Sequence, residues 1–363
     1  MNAGFVPPPY PYERLGELTA IADALAGGAV DLSVGTPCDP PPAEVIAALA
    51  DSGRARGYPA SIGSPALRQA AAGWISRRLG ASVDPDTELA ACVGTKEFVA
   101  STPQYLKLRR PDKDTVLYPA ISYPTYEMGA ILAGVRAVPY HELTGIGPAD
   151  AERALCIWVN SPGNPTGELH DLGAVAEWGR AHHVPVLSDE CYAEFSYADS
   201  PTTILRHGFD GVLAVHSLSK RDNFAGARIG FYAGDAELVH YLREVRKHAG
   251  LMPAGPVQQA AIVALNDDAH VDAQRQRYWT RMQRLCEIMA ALGLRAQMPA
   301  GAFYLWFETP NSDAWACARL LAERAGIIAS PGEFYGEYSS GFLRVAAVAP
   351  DDRIELAASR VGL

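Results

Sequence analysis

The chain has 363 residues, 48% hydrophobic and 20% charged, enough for one large domain and a smaller one with ample core, and too apolar for a disordered chain. A formal net charge of -10 and a pI near 5.4 argue against nucleic acid and against anionic membrane, since both call for basic patches. A small-molecule partner fits better.

Six cysteines, Cys38, Cys92, Cys156, Cys191, Cys286 and Cys317, lie far apart, without the paired spacing of a zinc site or a dithiol redox motif. They read as free thiols, mostly among apolar neighbours, which implies a reducing compartment and no metal. The proline-rich start, Pro7 to Pro11, has no basic residues and no apolar core of signal type, and no later run reaches transmembrane length. A cytoplasmic location is the expectation.

That proline run predicts an extended segment, because proline fixes its own backbone and biases the residue before it away from helix. Asp31 to Pro37, D-L-S-V-G-T-P, predicts a short strand ending at Gly35, either a turn glycine or a place where backbone approaches a ligand closely. Arg56 to Arg68 predicts a loop carrying Tyr58, packed or reaching outward, with a helix from about Pro65. From about Leu89 short apolar runs alternate with helical patterns, the mark of a mostly parallel sheet covered on both faces. Ala90 to Val93 runs into Gly94, Thr95 and Lys96, which open a helix whose first amides suit a phosphate. Thr115 to Tyr118 is followed by a loop with Tyr123 and Tyr126, one of which could cover a flat ring, although core packing is the commoner fate.

Leu155 to Val159 ends in N-S-P-G-N-P-T-G, a defined turn in which Asn164 is the natural donor. Val184 to Leu187 ends in S-D-E-C-Y, so Asp189 stands at a strand end, where a carboxylate either needs a cation or caps the next helix. Val212 to Val215 leads into S-L-S-K-R-D-N-F-A-G-A-R-I-G, which sets Lys220 among Ser217, Ser219 and Arg228. A partly desolvated amine can form a Schiff base with an aldehyde, and the hydroxyls and arginine can hold an anion beside it. An aldehyde that also carries a phosphate suggests pyridoxal 5'-phosphate (PLP); a polar turn with a solvated lysine is the bland alternative. Residues from successive strand ends would meet in one crevice. Beyond Gly230 comes a long amphipathic helix marked by Tyr278, Met282, Leu285, Met289 and Leu292, then strands at Gly301 to Trp306 and Gly341 to Ala346. The second of these strands buries Arg344, which needs an anion from the core or from a ligand.

Together N-x-P-x-N-P-T-G, S-D-E-x-Y, S-x-S-K with an arginine eight residues later, and F-L-R-V resemble the class I/II aminotransferases of PLP fold type I over nearly the whole chain. Closer in, V-G-T-P, the Tyr58 loop, V-G-T-K-E-F, Y-P-T-Y, A-V-H-S-L-S-K and V-R-K-H-A-G resemble the N-succinyl-LL-diaminopimelate aminotransferases. The resemblance implies an α/β fold: a large domain, 41–255, with a mostly parallel seven-stranded sheet between helices, a smaller α/β domain, 256–363, and an N-terminal segment, 1–40, packed with the latter. It implies Lys220 as Schiff-base lysine and general base, Asp189 at the pyridine nitrogen, Asn164 and Tyr192 at the phenolic oxygen, and Tyr123 on the ring. The phosphate falls to Thr95, Lys96, Ser217, Ser219 and Arg228, with Tyr58 reaching across a homodimer, and the substrate to Gly35, Asn164 and Arg344. Arg221 is bulkier than expected after the lysine and leaves the surroundings of the phosphate open. The implied reaction is ping-pong transfer from glutamate to N-succinyl-2-amino-6-oxopimelate in lysine and diaminopimelate biosynthesis. Its rivals are an aminotransferase for aspartate, aromatic amino acids or unsuccinylated diaminopimelate, a β-lyase or decarboxylase, and a non-catalytic PLP-binding module.

Overall fold

Short apolar runs become the strands of this fold, and the computed structural model describes them within residues 5–50 and 52–363. In chain order they are β1 (Val30–Asp31), β2 (Leu89–Cys92), β3 (Thr115–Pro119), β4 (Arg136–Tyr140), β5 (Ala154–Asn160), β6 (Val186–Asp189), β7 (Val212–Ser217), β8 (Gly230–Gly234), β9 (Tyr304–Glu308), β10 (Ile327–Ile328), β11 (Ser330–Pro331) and β12 (Phe342–Ala346). Two units result. The larger comprises Thr36–Trp279 and Pro299–Phe303; the smaller comprises the residues up to Gly35, Thr280–Met298 and Tyr304–Leu363.

The larger unit holds a seven-stranded sheet ordered β2-β8-β7-β6-β5-β3-β4. Only β8 runs against the others, pairing antiparallel with both β2 and β7, so the sheet is mostly parallel, as expected. Every residue of β5, β6 and β7 is buried, which is why these strands read as unbroken apolar runs rather than alternating ones. Alternate side chains enter two cores. Leu187, Leu213 and Val215 pack with Tyr126 and Trp158 on one face. Val186, Val212 and Ala214 pack with Leu218 and Phe231 on the other. Register then fixes the edge that matters: Asn160 pairs with Asp189, Asp189 with Val215, and Ser217 with Gly230. The carboxyl ends of neighbouring strands are thereby aligned.

This unit continues past residue 255, the limit expected from sequence, because the helix Gly255–Leu265 buries Ala260, Ala261, Ala264 and Leu265 in the same core as Trp74 and Leu67. The amphipathic helix Ala269–Ala291 crosses from one unit to the other. In the smaller unit β11-β12-β9 form an antiparallel sheet and β1 pairs parallel with β10. The strand expected over Asp31 to Pro37 is confined to Val30–Asp31. Its end has a local cause: the Asp31 carboxylate accepts from the Ser33 amide at 2.9 Å and from the Ser33 hydroxyl at 2.6 Å, which turns the chain out of the ladder.

Candidate active site

At the carboxyl end of β2, Gly94 caps the helix Thr95–Arg109 with φ 78° and no side-chain cap, so the first-turn amides, Thr95 and Lys96 included, point at whatever lies beyond. Arg228, itself left-handed at φ 55°, lays its guanidinium against Gly94 and donates from Nη1 to the Ala225 carbonyl at 2.9 Å. A side chain at Gly94 would overlap it. On β7, Ser217 caps the single turn Leu218–Arg221 by accepting from the Ser219 amide at 3.1 Å, and both serines are buried. Lys220 stands half-buried on that turn. Helix amides, two hydroxyls and a guanidinium at one strand edge are a donor set suited to a phosphate.

Asp189 ends β6 with 6% of its surface exposed. Its Oδ2 accepts from the Tyr126 hydroxyl at 2.8 Å and its Oδ1 from the Cys191 amide at 3.1 Å. Burial pushes this carboxyl up, while the bonds from Cys191 and Tyr126 pull the other way. A cationic ring nitrogen is the kind of partner such a buried carboxylate calls for. Cys191, two residues beyond β6, donates from its thiol to Thr95 Oγ1 at 3.3 Å, linking that strand end to the first turn of the helix Thr95–Arg109. Burial, followed by the Asp189 charge, drives that thiol well above its ordinary value, so it is an inert donor. Asn164 is held by its neighbour: its amide donates to Asn160 Oδ1 at 2.7 Å, and Asn160 Nδ2 donates to the Asp189 carbonyl at 2.8 Å. Tyr123 meets Tyr126 edge-on at 5.9 Å, Tyr126 stacks on Trp158 at 5.1 Å, and buried Tyr192 meets Phe303 edge-on at 5.4 Å.

Within the smaller unit, Arg344 lies buried on β12 with its guanidinium 4.3 Å from the Tyr304 ring centre and 4.7 Å from that of Tyr335. It donates to the Ser33 carbonyl and, at 3.3 Å, to the Tyr12 hydroxyl, which is 3.0 Å from the Tyr335 hydroxyl. Two aromatic rings therefore flank a buried cation. At Gly35 the space of the missing side chain belongs to Tyr304, whose hydroxyl would be 2.2 Å from a β-carbon there.

The structure thus gathers Thr95, Lys96, Tyr123, Asn164, Asp189, Tyr192, Ser217, Ser219, Lys220 and Arg228 along one edge of the larger unit, and puts Gly35 and Arg344 in the smaller one. Tyr58 is 98% exposed and joins neither group. Arg221, whose bulk left the surroundings of the phosphate open, turns into the protein: its guanidinium pairs with Asp222, with Asp268 at 3.1 Å and with Glu194 at 3.4 Å. Sequence reading placed Tyr126 in a loop, whereas it opens the helix Thr125–Leu132, and missed its bond to Asp189 as well as the parts played by Asn160, Cys191, Tyr12, Tyr304 and Tyr335. The available signal was chemical, since a buried tyrosine hydroxyl requires a partner. Among the described residues no helix is long and apolar enough to cross a membrane, and no cluster of three His, Cys, Asp or Glu side chains is arranged to hold a metal.

A ring nitrogen for Asp189, an amine at Lys220 and an anion cradle around Gly94 match the separate groups of PLP, so the residues present fit that cofactor. Comparison with known proteins agrees. The family model for class I and II aminotransferases matches residues 28–361. A 4-dedimethylamino-4-oxo-anhydrotetracycline transaminase from Streptomyces rimosus is 40% identical over 98% of this chain and 99% of its own. An LL-diaminopimelate aminotransferase from Aquifex aeolicus is 33% identical over 98% of this chain and 96% of its own. The solved structure of a probable N-succinyldiaminopimelate aminotransferase from Thermus thermophilus covers 96% of this chain and 98% of its own at 28% identity, with a TM-score of 0.84. The chain belongs to the class I and II aminotransferases, a PLP-dependent family.

Proposed function

We propose that this aminotransferase moves the amino group of glutamate to N-succinyl-2-amino-6-oxopimelate in a ping-pong cycle, working as a cytoplasmic homodimer. The chemistry rests on Lys220, which stands beside Asp189 and the Gly94 cradle at one strand edge; that convergence carries the reading. PLP held there supplies an electron sink for bonds broken at the substrate's α-carbon.

The chain's own groups do the rest. The amides of Thr95 and Lys96, the hydroxyls of Ser217 and Ser219, and Arg228 bind the phosphate. Asp189, steadied by the Tyr126 hydroxyl, keeps a proton on the ring nitrogen. Asn164 and Tyr192 donate to the phenolic oxygen, and Tyr123 covers the ring. Lys220 Nζ would anchor the cofactor and, when free, would take the substrate's α-proton as general base. Arg344, with the Gly35 backbone, binds the substrate α-carboxylate in two parallel hydrogen bonds. The exposed Tyr58 reaches the phosphate bound by a second copy of the chain.

Support for the succinylated acceptor is the motif resemblance together with the likeness to the Thermus thermophilus protein. A second reading, unsuccinylated diaminopimelate, is favoured by the relative from Aquifex aeolicus. Glutamate-dependent rates across both acceptors, aspartate, aromatic oxo acids and a polycyclic ketone decide between them. The proposal expects the succinylated acceptor to lead in kcat/KM; equal rates with the unsuccinylated one would remove it.

A further inference from the structure

Strand alternation that aims Asp189 and Ser217 at the cradle sends the neighbouring side chains, Glu190 and His216, to the opposite face of the same two strand ends. Both are buried, exposed by only 2% each, and the Glu190 amide donates to the Val215 carbonyl at 2.9 Å, continuing the β6-β7 ladder beyond Asp189. They border a small space of about 10 Å³, also lined by Trp74, Glu194, Arg221 and Phe231. That is room for one water.

The polar atoms around this space are incompletely bonded. Glu190 Oε1 accepts from the Ser188 hydroxyl and the Ile204 amide, both at 2.8 Å, but Oε2 has no hydrogen bond within the protein. Neither ring nitrogen of His216 has a well-formed one either, the ring meeting only a weak contact with the Glu190 backbone. His216 Nε2 is 3.5 Å from Glu190 Oε2, beyond a good hydrogen bond but well placed for both to share a third partner. Arg221 Nε is a further buried donor at this space without a hydrogen bond, 3.4 Å from Glu194 Oε1. Glu194 takes Arg78 at 2.9 Å, Arg221 at 3.4 Å and the Trp74 indole N–H at 2.7 Å, so its carboxylate does not compete for His216.

We propose that this space is a water site: one buried water bridges Glu190 Oε2 and His216, and the bridged pair fixes the two strand ends that present Asp189 and Ser217. Glu190 and His216 are thus positioning residues. Burial pushes the Glu190 carboxyl up to about 7 and the His216 ring down to about 3, so near neutral pH the ring is uncharged and the carboxyl is partly protonated. Buried polar groups left without partners are costly, and a water with two to four partners removes that cost.

This inference rests on the proposed place of Asp189 and Ser217 in the cofactor cradle. A high-resolution crystal structure of the holoenzyme should show one ordered water within hydrogen-bonding distance of Glu190 Oε2 and a His216 ring nitrogen. In solution, Glu190→Leu and His216→Phe should each speed cofactor release by about tenfold or more, equivalent to about 1.4 kcal/mol, and shift the visible absorption of the bound cofactor. Glu190→Gln, which keeps a neutral hydrogen-bonding end, should stay within about twofold of wild type. A packing role alone would lower the melting temperature and leave release and spectrum unchanged, and that result overturns the proposal. A dry cavity in the crystal overturns it too, and this reading survives even if the leucine variant does not fold. Asp189→Asn, measured alongside, isolates the cradle: unchanged cofactor release in that variant means the cradle reading has failed, whatever Glu190 does.

Discussion

Replacing Gly94 with alanine tests the cradle where its geometry is tightest. With φ 78° and ψ 147°, Gly94 occupies backbone space that is nearly glycine's alone, and an alanine held there costs about 1–3 kcal/mol. The new β-carbon would lie 2.3 Å from Arg228 Nη2 and 2.7 Å from its Cζ, so one of them must move. What moves is the end of a flexible, exposed side chain, at the expense of the 2.9 Å bond to the Ala225 carbonyl, so the extra loss of stability is small. Binding should suffer more than folding. Displacing Arg228 and tilting the first-turn amides degrades two phosphate contacts together, and charge-assisted hydrogen bonds contribute about 1.5–3 kcal/mol each. Titrating PLP into apoprotein should therefore show affinity falling by about tenfold to a hundredfold, while apoprotein melting drops by only a few degrees. The double variant Gly94→Ala, Arg228→Ala should lose little more than Arg228→Ala alone. Wild-type PLP affinity in Gly94→Ala would refute the reasoning.

Three other variants probe separate parts of the account. Tyr126→Phe removes a donor that lowers the Asp189 carboxyl, so that group should rise further and kcat should fall by about tenfold with KM nearly unchanged, as steady-state kinetics would show. Arg344→Ala should raise KM for carboxylate substrates by about a hundredfold and leave PLP affinity alone, a split that equilibrium titration and kinetics read separately. The Glu190 carboxyl is raised from 4.5 to about 7 in the folded state, so its contribution to stability is complete below 4.5 and is lost as pH rises through about 7. His216, lowered from 6.5 to about 3, acts in the opposite sense: its contribution is present above 6.5 and lost as pH falls through about 3. Denaturant unfolding of Glu190→Gln apoprotein should accordingly show a smaller fall in stability between pH 5 and pH 8 than wild type, by up to about 3 kcal/mol.

The strand ends were legible in sequence because strands buried on both faces leave unbroken apolar runs, and the polar residue after each run marks the edge. Asp189 after Val186–Asp189 and Gly94 after Leu89–Cys92 were found that way. Side-chain direction was not legible. Arg221 follows Lys220 in sequence, yet one turn of helix swings it away, towards Glu194, Asp222 and Asp268, residues up to 47 positions distant. Tyr126 could be read as loop or core, and its bond to Asp189 spans 63 positions, a pairing that only the sheet register creates. The Arg344 setting was half visible: a buried arginine announces an anion, but the two rings that flank it come from Tyr304 and Tyr335, on separate segments with no motif of their own. The core partners of Gly255–Leu265 were equally hidden, since Trp74 and Leu67 lie far upstream and no motif links them to this helix.

The central claim is that Lys220 is the residue joined to the cofactor. Borohydride reduction of the holoenzyme followed by peptide mass mapping tests it directly. The account predicts a single pyridoxyl group, on the peptide that carries Lys220. A label on Lys96 or any other lysine, with transamination intact before reduction, would contradict it.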